Sequence, residues 1–263
     1  MKRLIAVFAA ALMTLALAAP ASAQAAARIH LIHGIPNTPV DVYVDGAVVF
    51  ADFDFGNTED LSSLAGATLV DLQVKLAGTD TVAIDAGDVA LPASGNYSII
   101  ANLMADGTPT LSVFANDTSA IEAGNGRLVV RHTAAAPAVD VKANGAVAFA
   151  NLTNPNEASA DLPVATYTVE VVPAGTDSPV VIGPADLAVE DGVELIVYAV
   201  GSLDDQSLTV LTETISGLGT PPAGVPTGDS PIDNGLSMTV VAGLLIVATV
   251  AIGGGLTIAR RSK

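Results

Sequence analysis

The sequence predicts an all-β protein with two tandem antiparallel β-sandwich domains of the immunoglobulin-like type, followed by one C-terminal transmembrane helix. Three observations carry this prediction. A block of sequence is duplicated, short alternating apolar segments are separated by turn residues, and residues 236–259 carry no charge. The duplication indicates two copies of one small fold, the alternation indicates strands, and the charge-free segment is long enough to cross a bilayer.

The duplicated block comprises residues 40–51 and 139–150, which are offset by 99 positions. Extending the pairing back to residues 28 and 127 aligns 24 positions, of which ten are identical. His33 falls opposite His132, and Asp41 falls opposite Asp140. We therefore expect a first β-sandwich repeat at 24–118, a short linker at 119–126 and a second β-sandwich repeat at 127–213.

The strands of each repeat follow from local patterns. Val40, Val42 and Val44 alternate with polar residues, which is the period of a half-buried strand. Asp45-Gly46 then predicts a hairpin, and Asn144-Gly145 repeats this signal in the second copy. Further alternating segments and turns predict roughly seven strands per copy.

The connecting segments contain little helix signal. Residues 58–64 could form one helical turn, whereas Gly, Pro and β-branched residues interrupt the other candidates. The linker 119–126 is short, so we expect the repeats to touch. Residues 214–235 are rich in Pro, Gly, Ser and Thr, which predicts an extended stalk.

The two ends of the chain predict export and anchoring. Residues 1–23 have a basic start, an apolar centre and small residues before Gln24, as in a cleaved signal peptide. At about 1.5 Å per residue, a helix over 236–259 would cross a hydrocarbon core of about 30 Å. The tail 260–263 is basic, which predicts a single-pass protein of the cell membrane with the tail in the cytoplasm and the repeats outside.

The net charge and the lack of cysteine exclude several classes of function. All 27 acidic residues but only five of the ten basic residues lie between 24 and 235, which leaves a net charge of about −22 there. Such a surface repels nucleic acid, and it attracts cations or basic partners. The chain has no cysteine, so thiol catalysis and thiolate metal sites are excluded and each repeat must be stabilised by its own core.

The duplicated block also carries a resemblance to a known family. His33, Pro36, Val40-Asp-Val-Tyr43 and Gly46, with the counterpart block 132–145, resemble a bacterial surface family, domain of unknown function 4397, in tandem copies. The resemblance covers residues 28–213, and the second copy departs from the pattern at Lys142, where the family usually has an aromatic residue. It implies an exported β domain attached to membrane or wall, and it implies no established activity.

The duplicated histidines are the first candidate site residues. His33 and His132 would be metal ligands or proton donors beside Asp41 and Asp140 in one interpretation. In the other, each histidine closes the first strand and bonds to the backbone of the following loop, and each aspartate faces outward or caps a neighbouring turn. With one histidine per copy at this position and no ligand-rich pattern beside it, we favour the second interpretation.

The acidic loop 52–60 is the second candidate. Asp52, Asp54 and Asp60 concentrate carboxylate oxygens, the ligands that calcium prefers outside the cell. The spacing does not fit an EF-hand, so we expect a solvated acidic loop without a cofactor, with a weak calcium site as the alternative.

Sequence signatures of common enzymes are missing, because the chain has no nucleophile elbow, zinc-protease motif or phosphate loop. We therefore predict no catalytic residues and a noncatalytic structural, adhesive or partner-binding role at the cell envelope, with an envelope protein or polymer as partner. The alternative is a metal-dependent enzyme or cation-binding module. Residues 225–228 resemble a shortened sortase signal, so attachment to the cell wall is the alternative location.

Overall fold

The computed structural model describes residues 25–220, which lie in one compact unit. The predicted signal peptide 1–23, the stalk beyond residue 220, the predicted transmembrane helix 236–259 and the tail 260–263 lie outside the described residues. Within 25–220, no helix has the length and apolarity needed to cross a membrane. The described region is all-β, as predicted, and its helical content is one 3-10 turn at Ser62–Leu64.

The first repeat contains eight strands in two four-stranded sheets. Its strands are β1 Arg28–His33, β2 Val40–Val44, β3 Ala47–Phe53, β4 Thr58–Asp60, β5 Thr68–Leu76, β6 Val82–Ala90, β7 Asn96–Leu103 and β8 Pro109–Ala115. Strands β4-β1-β7-β8 form one sheet, which we call the first inner sheet, and β3-β2-β5-β6 form the first outer sheet. Their apolar faces enclose a hydrophobic core.

The second repeat has the same order. Its strands are β9 Asn125–His132, β10 Val139–Ala143, β11 Ala146–Leu152, β12 Glu157–Pro163, β13 Ala165–Pro173, β14 Ile182–Val189, β15 Glu194–Val200 and β16 Thr209–Ile215. Strands β12-β9-β15-β16 form the second inner sheet, and β11-β10-β13-β14 form the second outer sheet. A second core lies between these sheets.

The turn chemistry of the duplicated block is as predicted. Asp45 and Gly46 both have positive φ, of 50° and 72°, and Asn144 and Gly145 repeat this with 50° and 80°. Two central residues with positive φ define the type I′ turn, whose twist matches that of the flanking strands. The turn therefore fixes the β2–β3 and β10–β11 hairpins.

The prediction of purely antiparallel sheets is wrong, and each repeat has eight strands where roughly seven were predicted. In each inner sheet the first strand pairs in parallel with the seventh, with Leu31 opposite Ile99 and Val130 opposite Val197. The sequence pattern did not indicate this pairing, because β1 and β9 are covered on both faces and the residues they pair with lie far away in the chain. The predicted helical turn over 58–64 is the short strand β4 followed by the 3-10 turn.

The repeat boundaries also differ from the predicted ones. Strand β9 begins at Asn125, inside the predicted linker 119–126, and β16 runs to Ile215, past the predicted start of the stalk at 214. Ile121 is fully buried and its amide donates to the carbonyl oxygen of Leu218 at 2.8 Å. These residues are held by backbone hydrogen bonds. The composition of a segment does not indicate such bonds, so the boundaries predicted from composition were displaced.

The two inner sheets pack against each other and bury a third hydrophobic cluster. Its members come from both repeats: Ile32, Ile100 and Phe114 from the first, and Val129, Ile196, Tyr198 and Val200 from the second. Each inner sheet is therefore covered on both faces, so the repeats form a four-layer arrangement of outer, inner, inner and outer sheets.

The shared cluster predicts that the repeats unfold together. Ile196 has no exposed surface, so Ile196→Ala should destabilise the protein by about 2–5 kcal/mol. Scanning calorimetry should show one transition at a lower temperature. Val147→Ala, at a site that is 50 % exposed, is the control and should change stability by about 0.5 kcal/mol or less. Two transitions, with only the later repeat shifted, would contradict a shared core.

Candidate functional site

The duplicated histidines lie at the ends of β1 and β9 and are fully buried. In His33, Nε2 donates to the carbonyl oxygen of Thr38 at 2.6 Å, and Nδ1 faces the amide of Ile35 at 3.4 Å. His132 repeats both contacts with Pro137 at 2.9 Å and Ala134 at 3.4 Å. Both ring nitrogens of each histidine are thus engaged with the backbone of the loop that follows its strand.

Electrostatics favour the neutral form of these rings. Burial lowers the pKa of His33 and His132, and a backbone hydrogen bond at each ring opposes that shift. The ring of His33 also stacks on Phe53 at a centroid distance of 5.7 Å. A neutral, buried ring with both nitrogens occupied can hold a loop in place, but it offers no free nitrogen to a metal or a substrate in this arrangement.

The duplicated aspartates are buried and bond to the backbone of two turns. Oδ1 of Asp41 accepts from the amide of Asp52 at 2.9 Å, and Oδ2 accepts from Gly78 at 3.0 Å. Asp140 accepts in the same way from Asn151 at 2.7 Å and Gly175 at 2.8 Å. These amide bonds lower the pKa of both aspartates, because they favour the charged carboxylate.

Each aspartate therefore ties a bulge in the third strand to the turn between the fifth and sixth strands. Asp52 and Asn151, which donate to these carboxylates, have positive φ of 51° and 53°. Asp and Asn tolerate this conformation better than most residues. The four equivalent contacts explain why the duplicated block keeps an aspartate inside a strand of valines.

The carboxylates of the acidic loop 52–60 do not form a metal-binding cluster. Asp52, Asp54 and Asp60 are exposed, and Oδ1 of Asp60 accepts from the amide of Ser62 at 2.8 Å. Hydrogen bonds from Ser62 lower the pKa of Asp60. Across residues 25–220, no three side chains of the types that ligate metals come together at metal-binding distance. The candidate ligands His33, His132, Asp52, Asp54 and Asp60 thus form no common site among the described residues.

Sequence reasoning missed a buried polar network between the inner sheets, centred on Arg131, which is 1 % exposed. Its guanidinium donates to Oε2 of Glu157, the hydroxyl of Tyr198 and Oδ1 of Asn116, each at 2.7 Å. It also lies over the ring of Phe114, 4.4 Å from the centroid. Asn116 and Phe114 belong to the first repeat, so Arg131 bonds across the interface between the repeats.

Glu213 forms the other half of this network. Its Oε2 accepts from the hydroxyls of Ser98 at 2.7 Å and Tyr198 at 2.8 Å, and its Oε1 lies 2.7 Å from Nδ1 of His30. Burial raises the pKa of Tyr198, which keeps its hydroxyl protonated as a donor to Glu213. The sequence signal that could have found the network is Arg131 itself, which follows directly on the apolar residues 128–130 of β9.

Glu194 is a further buried carboxyl at the edge of the same interface. It is 1 % exposed, and neither of its carboxylate oxygens has a hydrogen-bond partner among the described residues. Burial raises the pKa of Glu194 to about 7, although Arg127 and Arg131 oppose that shift. Because burial disfavours the charged form of this carboxyl, its ionisation lowers the free energy of unfolding.

Glu194→Gln should therefore change how stability depends on pH. Because the folded pKa of about 7 lies above the ordinary value of 4.5, ionisation weakens the fold as pH rises between these values. The variant should gain up to about 3 kcal/mol over the original protein by pH 8, and little at pH 4, in urea unfolding. Glu190→Gln, at an exposed site, is the matched control. Parallel pH profiles for Glu194→Gln and the original protein would show that Glu194 is not desolvated.

Comparison with known proteins supports the resemblance seen in the sequence blocks. A family model described as domain of unknown function (DUF4397) matches residues 27–142, which span the first repeat and the first two strands of the second. No curated protein matches the chain. By this match, residues 27–142 carry the sequence features of the DUF4397 family.

Proposed function

We propose that the chain is a noncatalytic protein of the cell envelope that binds a protein or polymer partner through the outer surface of its paired repeats. One observation carries this proposal. Four of the polar side chains kept by the duplication, those of His33, His132, Asp41 and Asp140, form their hydrogen bonds with backbone groups of their own repeat. These residues support a scaffold, and they are not arranged to act on a substrate.

The charge of the chain supports a cationic or basic partner. Between residues 24 and 235 the net charge is about −22. Within the described region, Arg131 is buried in the interface and Arg127 is bonded to Asp161 at 2.7 Å, so two of the few cations are already neutralised. Such a field disfavours nucleic acid and other polyanions.

The proposal takes residues 127–213 as a second copy of the family domain and both sandwiches as immunoglobulin-like modules. Residues 1–23 act as a signal peptide, and residues 236–259 hold the exported repeats at the cell membrane through one span. A sortase acting on residues 225–228 would instead attach the repeats to the wall. Charge, length and the order of these segments support this topology.

The rival function is a metal-dependent activity that uses His33 and His132. We expect metal analysis of the purified chain to find no stoichiometric transition metal. The double variant His33→Ala, His132→Ala should lower the melting temperature, because each change leaves a buried backbone group without its partner at a cost of about 1–3 kcal/mol.

His30→Ala is the matched control, since His30 is a part-exposed histidine that bonds to Glu213 across the interface. Its metal content should equal that of the double variant and of the original protein. About one metal ion per chain that only the double variant loses would reject the noncatalytic function.

A further inference from the structure

The first sandwich contains an apolar cavity between its inner and outer sheets. Its volume is about 570 Å³, within the range of about 300–1,000 Å³ that is usual for small-molecule sites. Buried residues of both sheets form its floor, among them Val42, Val74 and Ile99. Protein interiors are normally close-packed, so a space of this size inside a domain suits an occupant.

The lining is almost wholly aliphatic and aromatic. Among the described residues that line the cavity, Asp85 is the only charged one and Thr110 is the only other polar one. Asp85 is exposed, so this residue lies where the cavity meets solvent, and its Oδ1 accepts from the amide of Gly87 at 3.3 Å. Such a lining binds through apolar burial, with polar recognition confined to the rim.

The mouth of the cavity is also apolar. Val49, Leu64 and Val113 line the cavity and yet are 46 %, 41 % and 55 % exposed. Large apolar side chains that connect a cavity to the surface give a ligand continuous apolar contact from solvent to core. The site is therefore accessible without opening the sandwich.

The charge around the site selects the head group of its ligand. Asp85 is an exposed residue of the lining, and residues 24–235 as a whole carry a net charge of about −22. An anionic head group would be repelled at the mouth, whereas an amine would be attracted and a hydroxyl tolerated. The volume, the apolar lining and the charge thus all favour an amphiphile with a neutral or cationic head group.

We propose that the first sandwich binds one amphiphile, with its aliphatic chain in the cavity between the sheets and a neutral or cationic head group at Asp85. This ligand site is additional to the partner surface proposed above, and it does not depend on the noncatalytic role or on the cellular location.

The duplication supplies a matched pair of variants. Val42 and Val141 occupy equivalent positions in the two repeats and are 3 % and 2 % exposed. Only Val42 lines this cavity, so Val42→Phe fills it, whereas Val141→Phe adds the same volume to the core of the other repeat. Ala101→Leu fills the cavity from the inner sheet and is a second variant should Val42→Phe fold poorly.

The test uses photoreactive dodecyl chains that carry a diazirine and end in an amine, a hydroxyl or a carboxylate. Each probe is crosslinked to the full chain in lipid nanodiscs, and the labelled residues are mapped by mass spectrometry. We expect the amine and hydroxyl probes to label the first sandwich, with labelling by the carboxylate probe about tenfold weaker. Val42→Phe and Ala101→Leu should lose this labelling, whereas Val141→Phe should retain it.

Several results would overturn the proposal. Equal labelling of both sandwiches would indicate nonspecific partition into apolar surface, and preferential labelling by the carboxylate probe would contradict the charge argument. No labelling above background would mean that the cavity is closed to amphiphiles.

Discussion

The buried guanidinium of Arg131 is the constraint on which the arrangement of the two repeats depends. A charge that is 1 % exposed must be paired and fully hydrogen-bonded, or it would destabilise the fold strongly. Glu157 and Tyr198 supply two partners from the same repeat, and Asn116 supplies the third from the other. Ser98 and His30 of the first repeat meet Glu213 of the second in the same way. Arg131 and Glu213 therefore complete their hydrogen bonds only when the inner sheets face each other.

The contacts that the duplication preserved lie in a different part of the molecule from the polar contacts of Arg131 between the repeats. Both copies keep two sets of contacts, and both sets lie within a single repeat. His33 and His132 each bond to the loop after their strand, and Asp41 and Asp140 each bond to two turns. These contacts stabilise the connections between strands. The contact that Arg131 makes between the repeats has no counterpart in the first copy, where Ile32 stands opposite Arg131 in the aligned blocks. Each repeat can thus bury its own core, while the pair acquires a defined interface. The cavity of the first sandwich lies on the far side of its inner sheet from that interface.

The sequence predicted local structure well and pairing across the chain poorly. Alternating valines and the Asp45-Gly46 turn determined the β2–β3 hairpin, because strand period and turn type are local properties. The parallel pairing of β1 with β7 joins residues far apart in the chain, and no local pattern encodes it. The polar network of the interface was missed for a related reason: Ser98 and Glu213 read as polar surface positions until a facing sheet is known. Glu194 likewise gave no sign that its carboxyl would be buried without a partner.

A double-mutant cycle between Ser98 and Glu213 tests the polar interface most directly, because this hydrogen bond of 2.7 Å joins the two repeats. Ser98→Ala, Glu213→Leu and the double variant would be compared with the original protein by urea unfolding. If the network couples the repeats, the two changes should be non-additive by about 1–3 kcal/mol. Additivity within about 0.5 kcal/mol would contradict the central claim, because it would mean that the hydrogen bond between Ser98 and Glu213 does not couple the repeats.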